Sequence, residues 1–288
     1  MSDIQKSPEP VSNTKRKVFF GLFVFPMLIA VTMAILLSGI VLLTHEEETP
    51  ETLITAIKTG APSKRWQKAF ELSNELNREG GILRSGGIVN EIVHILNDDE
   101  HYDAKTRAYM AMALSRFRTP EAQKAIEEAL SHVRDSEDPK FSLFLIWALG
   151  SYQNPESAEP ISRFLESTHD DLRKAAAYVL GALGNRKSVS ALQRSLEDSV
   201  ADVRWNAALS LARLGDDSGR VVLLQMMDRN HLEQAYQLDE AEIERAMVNA
   251  AKALSLINGS EAKLLLEKVS HNDPNLKVRQ AALAALKS

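Results

Sequence analysis

The sequence predicts an all-α protein: an α-solenoid of about seven helix pairs, preceded by a single transmembrane helix. Three observations carry this expectation. Residues 18–43 run 26 positions without a charge. After them, one pattern recurs along the chain: an apolar residue, then Arg, then small Ala residues, and Leu eight positions after the start. Aromatic residues are only 6% of the chain, and Ala and Leu fill the periodic segments, which favours helix over strand.

The first element is the apolar run. At about 1.5 Å per residue it exceeds a hydrocarbon core of roughly 30 Å. Pro26 inside it is tolerable in a membrane helix. A cleaved signal peptide has an apolar region of about 7–15 residues ending at small residues. This run is longer and leads into "LLTHEEE", so a retained anchor is the expectation. Lys15, Arg16 and Lys17 precede the run, and Glu46, Glu47 and Glu48 follow it. The positive-inside rule then keeps residues 1–17 as a short cytoplasmic tail and places the C-terminal domain outside. The expected location is the bacterial inner membrane, single-pass, with a periplasmic domain. Residues 44–59 form a linker and leading helix, and residues 60–288 form the solenoid.

Composition narrows the function. Charged residues are 25% and hydrophobic residues 44% of the 288, in the range of a folded chain. From Glu46 onward there are 30 basic and 37 acidic residues, a net charge of −7. That excess argues against nucleic acid, whose phosphates need a basic face. It also argues against a domain lying flat on anionic lipid. There is no cysteine, which rules out disulfides, thiolate metal sites and a thiol nucleophile.

The repeat units follow in order. They begin at Lys64, Thr106, Phe141, Leu172, Val203, Ala246 and Val278, with spacings of 42, 35, 31, 31, 43 and 32 residues. Each start opens a helix by its 3.6-residue apolar period. A second apolar segment follows at Ala122–Leu130, Ala158–Leu165, Val189–Leu196, Val221–Met227 and Ala262–Val269. Gly184, Gly215 and Asn258 share one repeat position and end the first helix. Pro120 and Pro155 open second helices. Helix pairs repeated this way build a solenoid.

The segments "DLRKAAAYVLGALG" and "DVRWNAALSLARLG" resemble HEAT repeats, in particular the short bacterial kind also seen in phycobilisome-lyase-like proteins. The resemblance covers about residues 60–288. It implies a ladder between neighbouring repeats, with Asp171, Arg173, Asp202 and Arg204 as members. The arginine column continues at Arg65, Arg107 and Arg279, and departs at Ser142 and Met247. The resemblance also offers an alternative to a scaffold, namely a bilin-lyase-like enzyme or chaperone acting on a partner-bound ligand.

No catalytic constellation emerges. The seven histidines are scattered, and the only His-Glu dipeptide, His45–Glu46, lies in the linker, so no metal and no cofactor are expected. The Gly-rich piece Arg78 to Ile92 lacks the Lys-Ser/Thr of a phosphate loop. The acidic pairs Asp98–Asp99, Asp170–Asp171 and Asp216–Asp217 read as helix caps and solvated surface. The arginine column reads as structural, satisfying carbonyls or carboxylates between helices, and Trp66 and Trp205 read as packing residues. The informative irregularity is Arg229 to Ile243, an insert between two repeats. Insertions in solenoids map to one face and often carry the partner surface. Met226, Met227, His231, Tyr236 and Leu238 are therefore the candidate contacts for a protein partner, and a membrane-anchored, non-enzymatic scaffold is the expected function.

Overall fold

The computed structural model describes residues 20–44, 49–78, 86–133, 138–257 and 259–287, in two units, Met1–Thr49 and Pro50–Ser288. Lys15, Arg16, Lys17, the His45–Glu46 dipeptide and Asn258 lie outside the described residues. In the first unit a π-helical turn, Phe20–Val24, leads into α1, Phe25–Thr44. Gly21–Gly39 is long and apolar enough to cross a membrane, and Leu22, Phe23, Met27 and Ile35 are each at least 60% exposed. By length and composition this segment fits a membrane span or a signal sequence.

The second unit is two layers of helices, with no strand among the described residues. Layer one holds the repeat-opening helices: α3 (Pro62–Arg78), α5 (Ala104–Phe117), α7 (Pro139–Gly150), α9 (Asp170–Leu183), α11 (Ala201–Arg213), α14 (Glu240–Leu254) and α16 (Leu276–Ala285). Layer two holds α2 (Pro50–Thr59), α4 (Gly86–Asn97), α6 (Pro120–His132), α8 (Ala158–Ser162), α10 (Val189–Arg194), α12 (Arg220–Met226) and α15 (Ser260–Asn272). Among the described residues one helix, α13 (Arg229–Tyr236), has no counterpart in the other repeats and is the insert. Each layer-two helix precedes its layer-one partner, so the leading helix α2 belongs to the first pair.

Local chemistry sets the ends of these helices. Asp103 caps α5 by accepting from Thr106 N–H, and Thr119 caps α6 ahead of Pro120. Asp239 and Glu242 form a reciprocal capping box on α14. Asp98 instead accepts from His101, Asp216 from Ser218, and Asp170 and Asp171 sit inside the first turn of α9, so none of these acidic pairs is the expected N-cap. The stop is stricter. The twelfth position after the repeat start is left-handed in four consecutive repeats: Arg118 (φ 51°), Gln153 (φ 54°), Gly184 (φ 76°) and Gly215 (φ 73°). Two of these repeats reach that backbone state without glycine, at a cost of about 1–2 kcal/mol each.

Layer-two helices α8 and α10 are shorter than the expected Ala158–Leu165 and Val189–Leu196. Each is an α-turn flanked by 3-10 segments, Pro155–Ser157 and Arg163–Glu166 around α8, and Arg186–Ser188 and Ser195–Glu197 around α10. Pro160 within α8 has no N–H to continue the ladder.

Successive layer-one helices pack directly against one another, and small residues let them approach closely. At Gly181 an added Cβ would lie 2.2 Å from Ser210 Oγ, and that hydroxyl donates to Ala177 O at 2.7 Å. Leu172, Ala176, Leu180, Val203, Ala207 and Leu211 fill the space between layers and are fully buried. The core is in two clusters, one from Leu53 to Leu214 and one from Ala208 to Ala282, and α11 contributes to both.

Gly181→Ala tests the close approach. In an open helix interior the change would stabilise by about 0.5–1 kcal/mol. Here the overlap with Ser210 reverses the sign, and the expected outcome is a loss of about 1–3 kcal/mol in urea denaturation.

Candidate functional site

The arginine one position after each repeat start does the same job throughout. Its guanidinium turns back to the loop that precedes its own helix. Arg65 Nε donates to Gly60 O at 3.1 Å, Arg107 Nε to Leu96 O at 2.7 Å, and Arg173 Nη1 to Ser167 O at 2.9 Å. Arg204 Nη1 donates to Asp198 O and Ser199 O, and Arg279 Nη1 to Asp273 O and Pro274 O. These are carbonyls left over at and just after the ends of layer-two helices. Four of the five arginines also reach the next repeat. Arg65 Nη1 donates to His101 O at 2.6 Å, and Arg107 lies over the Phe141 ring at 4.6 Å. Arg173 holds the Asp198 carboxylate through two hydrogen bonds of 2.7 and 3.1 Å, and Arg204 Nη2 donates to Tyr236 Oη at 3.0 Å.

The two departures from the column are compensated from elsewhere. Where Ser142 stands in place of Arg, Arg163, in the 3-10 segment after α8, donates to Leu130 O and Val133 O. Where Met247 stands, Arg229 of the insert grips Asp273 with two hydrogen bonds of 3.1 and 2.8 Å. Arg229 uses the same two nitrogens on the same two oxygens as Arg173 does on Asp198, and Asp198 and Asp273 both lie five residues before a repeat start. The acidic ladder partner is thus this loop aspartate. Asp171 and Asp202 both pair with Lys174, at 3.2 and 3.3 Å, and not with the arginine column.

The insert candidates divide. Met226 and Met227 are each 2% exposed and belong to the second core cluster, which corrects their assignment as contacts for a partner. They sit at the end of α12, where the layer-two helix turns its apolar side inward, so their adaptable side chains fill the core. His231, Tyr236 and Leu238 are half-buried. Tyr236 is held between the Trp205 ring at 5.1 Å and the His231 ring at 5.4 Å, both edge-on, while its hydroxyl accepts from Arg204.

The outward side of layer one carries a feature that lies outside the insert. Phe70 on α3 meets Tyr109 on α5 edge-on at 5.3 Å, and Tyr109 meets Phe144 on α7 at 5.5 Å. One turn further along α7, Trp147 meets Tyr178 on α9 at 5.5 Å, and Arg213 on α11 lies over Tyr178 at 5.1 Å. The result is an aromatic ridge across five successive layer-one helices. Phe70, Trp147 and Tyr178 are 44, 42 and 38% exposed, so the ridge is accessible. The pairings fix the ring orientations, each contributing about 0.5–1.5 kcal/mol beyond area burial. In the repeat frame Tyr109 and Phe144 occupy the third position after the start, and Phe70, Trp147 and Tyr178 the sixth, two columns one helical turn apart.

Among the described residues no group of three or more His, Asp and Glu side chains could hold a metal ion. Arg173 and Asp198 form a two-bond ion pair whose side chains are 15 and 11% exposed. Burial raises the Asp198 pKa, but the Arg173 hydrogen bonds, the Val200 N–H and the charges of Arg173 and Arg204 outweigh it and hold the carboxyl below 3.8. The pair's stabilisation is therefore fully present above the unfolded value near 3.8 and is lost as pH falls through the lower folded value. Arg173→Ala strands Asp198 and is expected to cost about 3 kcal/mol at neutral pH. Thermal melts should show the deficit relative to wild type shrinking below pH 4; a deficit independent of pH would contradict the pairing.

The HEAT-repeat family profile matches residues 89–178 and 160–237. No curated protein matches the chain in sequence. Among solved structures, the complex of CpcE and CpcF of phycocyanin lyase from Nostoc sp. PCC7120 is similar at 16% identity with a TM-score of 0.52, over 85% of this chain and 96% of that one. A designed armadillo repeat protein in complex with peptide (KR)4 is similar at 16% identity with a TM-score of 0.45, over 84% of this chain and 99% of that one. Human deoxyhypusine hydroxylase is similar at 16% identity with a TM-score of 0.37, over 83% of this chain and 94% of that one. At 16% identity, the likeness to the CpcE–CpcF complex shows a shared fold alone. Together with the recurring arginine links, the profile match over half the chain establishes that this protein belongs to the HEAT-repeat family.

Proposed function

We propose that this chain is a membrane-tethered adaptor that holds a segment of another envelope protein against the aromatic ridge of layer one. The observation that carries the reading is the ridge itself, five rings and one arginine aligned across five successive helices and partly open to solvent. Large rings with few rotatable bonds supply contact area at low entropic cost, and aromatic and arginine side chains dominate binding hot spots. Contiguous exposed apolar patches on a folded chain mark interaction sites.

The apolar α1 supplies the tether, with the basic Lys15–Arg16–Lys17 flank inside and the solenoid in the periplasm. Confining the ridge to one membrane plane raises the effective concentration of a membrane partner, so modest contacts suffice. His231, Tyr236 and Leu238 form a secondary contact at the edge of the stack.

A photo-crosslinking residue placed at Trp147 or Tyr178 in intact cells should capture the same protein from both positions. The same residue at Lys263 on α15, in layer two, should capture none. Equal capture at all three positions, or none at the ridge, would overturn the reading. A reporter active only in the cytoplasm, fused to Ser288, should stay silent; activity there would sink the exported topology.

A further inference from the structure

Arg107 is the exception among the inter-repeat links. Arg65, Arg173, Arg204 and Arg229 each donate a hydrogen bond across to another repeat, Arg173 and Arg229 to a carboxylate, while Arg107 donates only through Nε to Leu96 O and stacks on Phe141. Both its Nη groups are without a hydrogen-bond or ion-pair partner among the described residues. Arg107 also lines a cleft of about 620 Å³ at the edge of the stack, between the end of α6 and the starts of α5 and α7. Burial pushes the guanidinium down from its ordinary value, against the charges of Asp99 and Asp98, so the cation is partly desolvated without a direct counter-ion. A desolvated fork of this kind is matched by a planar carboxylate.

The rest of the cleft has the opposite sign. Asp99, Asp103, Glu128 and Asp138 line it. Asp103 and Asp138 are committed to helix caps. Asp99 makes no ion pair among the described residues, and Glu128 makes a long one, 3.5 Å to the exposed Lys124. A lone carboxylate entering the cleft would meet this acidic rim, whereas a carboxylate carried beside a cation would satisfy both the floor and the rim.

We propose that the Arg107 cleft binds a peptide segment presenting an acidic side chain next to a basic one, its carboxylate on the Arg107 fork and its cation against Asp99 and Glu128. The protein contains its own template for the first contact, the two-bond grip of Arg173 on Asp198 and of Arg229 on Asp273. The cleft is separate from the ridge, although α5 carries both Arg107 and Tyr109, and neither site needs the other to be occupied.

The test is arginine side-chain NMR on the full chain in detergent, with the Arg107 signal assigned by its loss in Arg107→Lys. The probes are N-acetyl-glutamyl-arginine amide, the glutaminyl counterpart, and acetate alone. A saturable shift of Arg107 with the glutamyl dipeptide alone is expected, while the Arg173 and Arg229 signals stay still because their carboxylates are already in place. Tyr109→Ala should leave that shift unchanged, which separates this site from the ridge. No shift of Arg107, an equal shift with the glutaminyl dipeptide or with acetate, or a common drift of all arginine signals would each overturn the proposal.

Discussion

The arginine link between one repeat and the next is the interaction on which the solenoid depends. A stack of helix pairs has no long-range topology to hold it, because each repeat touches only its neighbours. Apolar burial glues the layers but is non-directional. Direction comes from a planar cation that reads the leftover carbonyls of one loop and reaches into the next repeat, as Arg65, Arg173 and Arg204 do. With the loops placed this way, small residues of layer one come into close contact, as Gly181 and Ser210 do. The shared register then brings Phe70, Tyr109, Phe144, Trp147 and Tyr178 into one row. The ridge is thus a product of the repeat phase, and its partners come from helices separated by about one repeat each.

The insert takes on a different role in this light. Its first residue, Arg229, supplies the cation missing at Met247, and Tyr236 receives the second arm of Arg204. The helix α13 therefore links Arg204 of α11 to Asp273, in the loop before α16, at the point where the regular repeat is interrupted. An insertion whose polar groups are spent on the scaffold has less surface to offer a partner. The exposed aromatic row, built from ordinary repeats, offers more.

The repeat phase, the two-layer architecture and the role of the arginine column were legible in the sequence, because each recurs at a fixed spacing and needs no knowledge of the third dimension. The substitutes were not. Arg163 lies 21 residues after Ser142, and Arg229 lies 18 before Met247, and only the packing of layer two against layer one brings each to the vacant position. Burial of Met226 and Met227 was hidden for a similar reason, since residues at the end of a short helix can face either side. The left-handed Arg118 and Gln153 carry no glycine to announce them, yet their repeat position equals that of Gly184 and Gly215. The ridge was legible in principle. Its two repeat positions vary among Phe, Tyr and Trp and are united only by ring size, so no single residue type marks them.

A double-mutant cycle on Arg229 and Asp273 tests this account most directly, because it asks whether an arginine from outside the column performs the column's work. Equilibrium denaturation of the full chain, Arg229→Met, Asp273→Asn and the double variant measures the coupling free of other losses. With side chains 14 and 5% exposed, the pair should show a coupling of about 1–3 kcal/mol, well above that of the solvent-facing Arg194–Glu166 pair measured alongside. A coupling near zero, no larger than that of the exposed pair, would contradict the claim that arginine links hold the repeats in register.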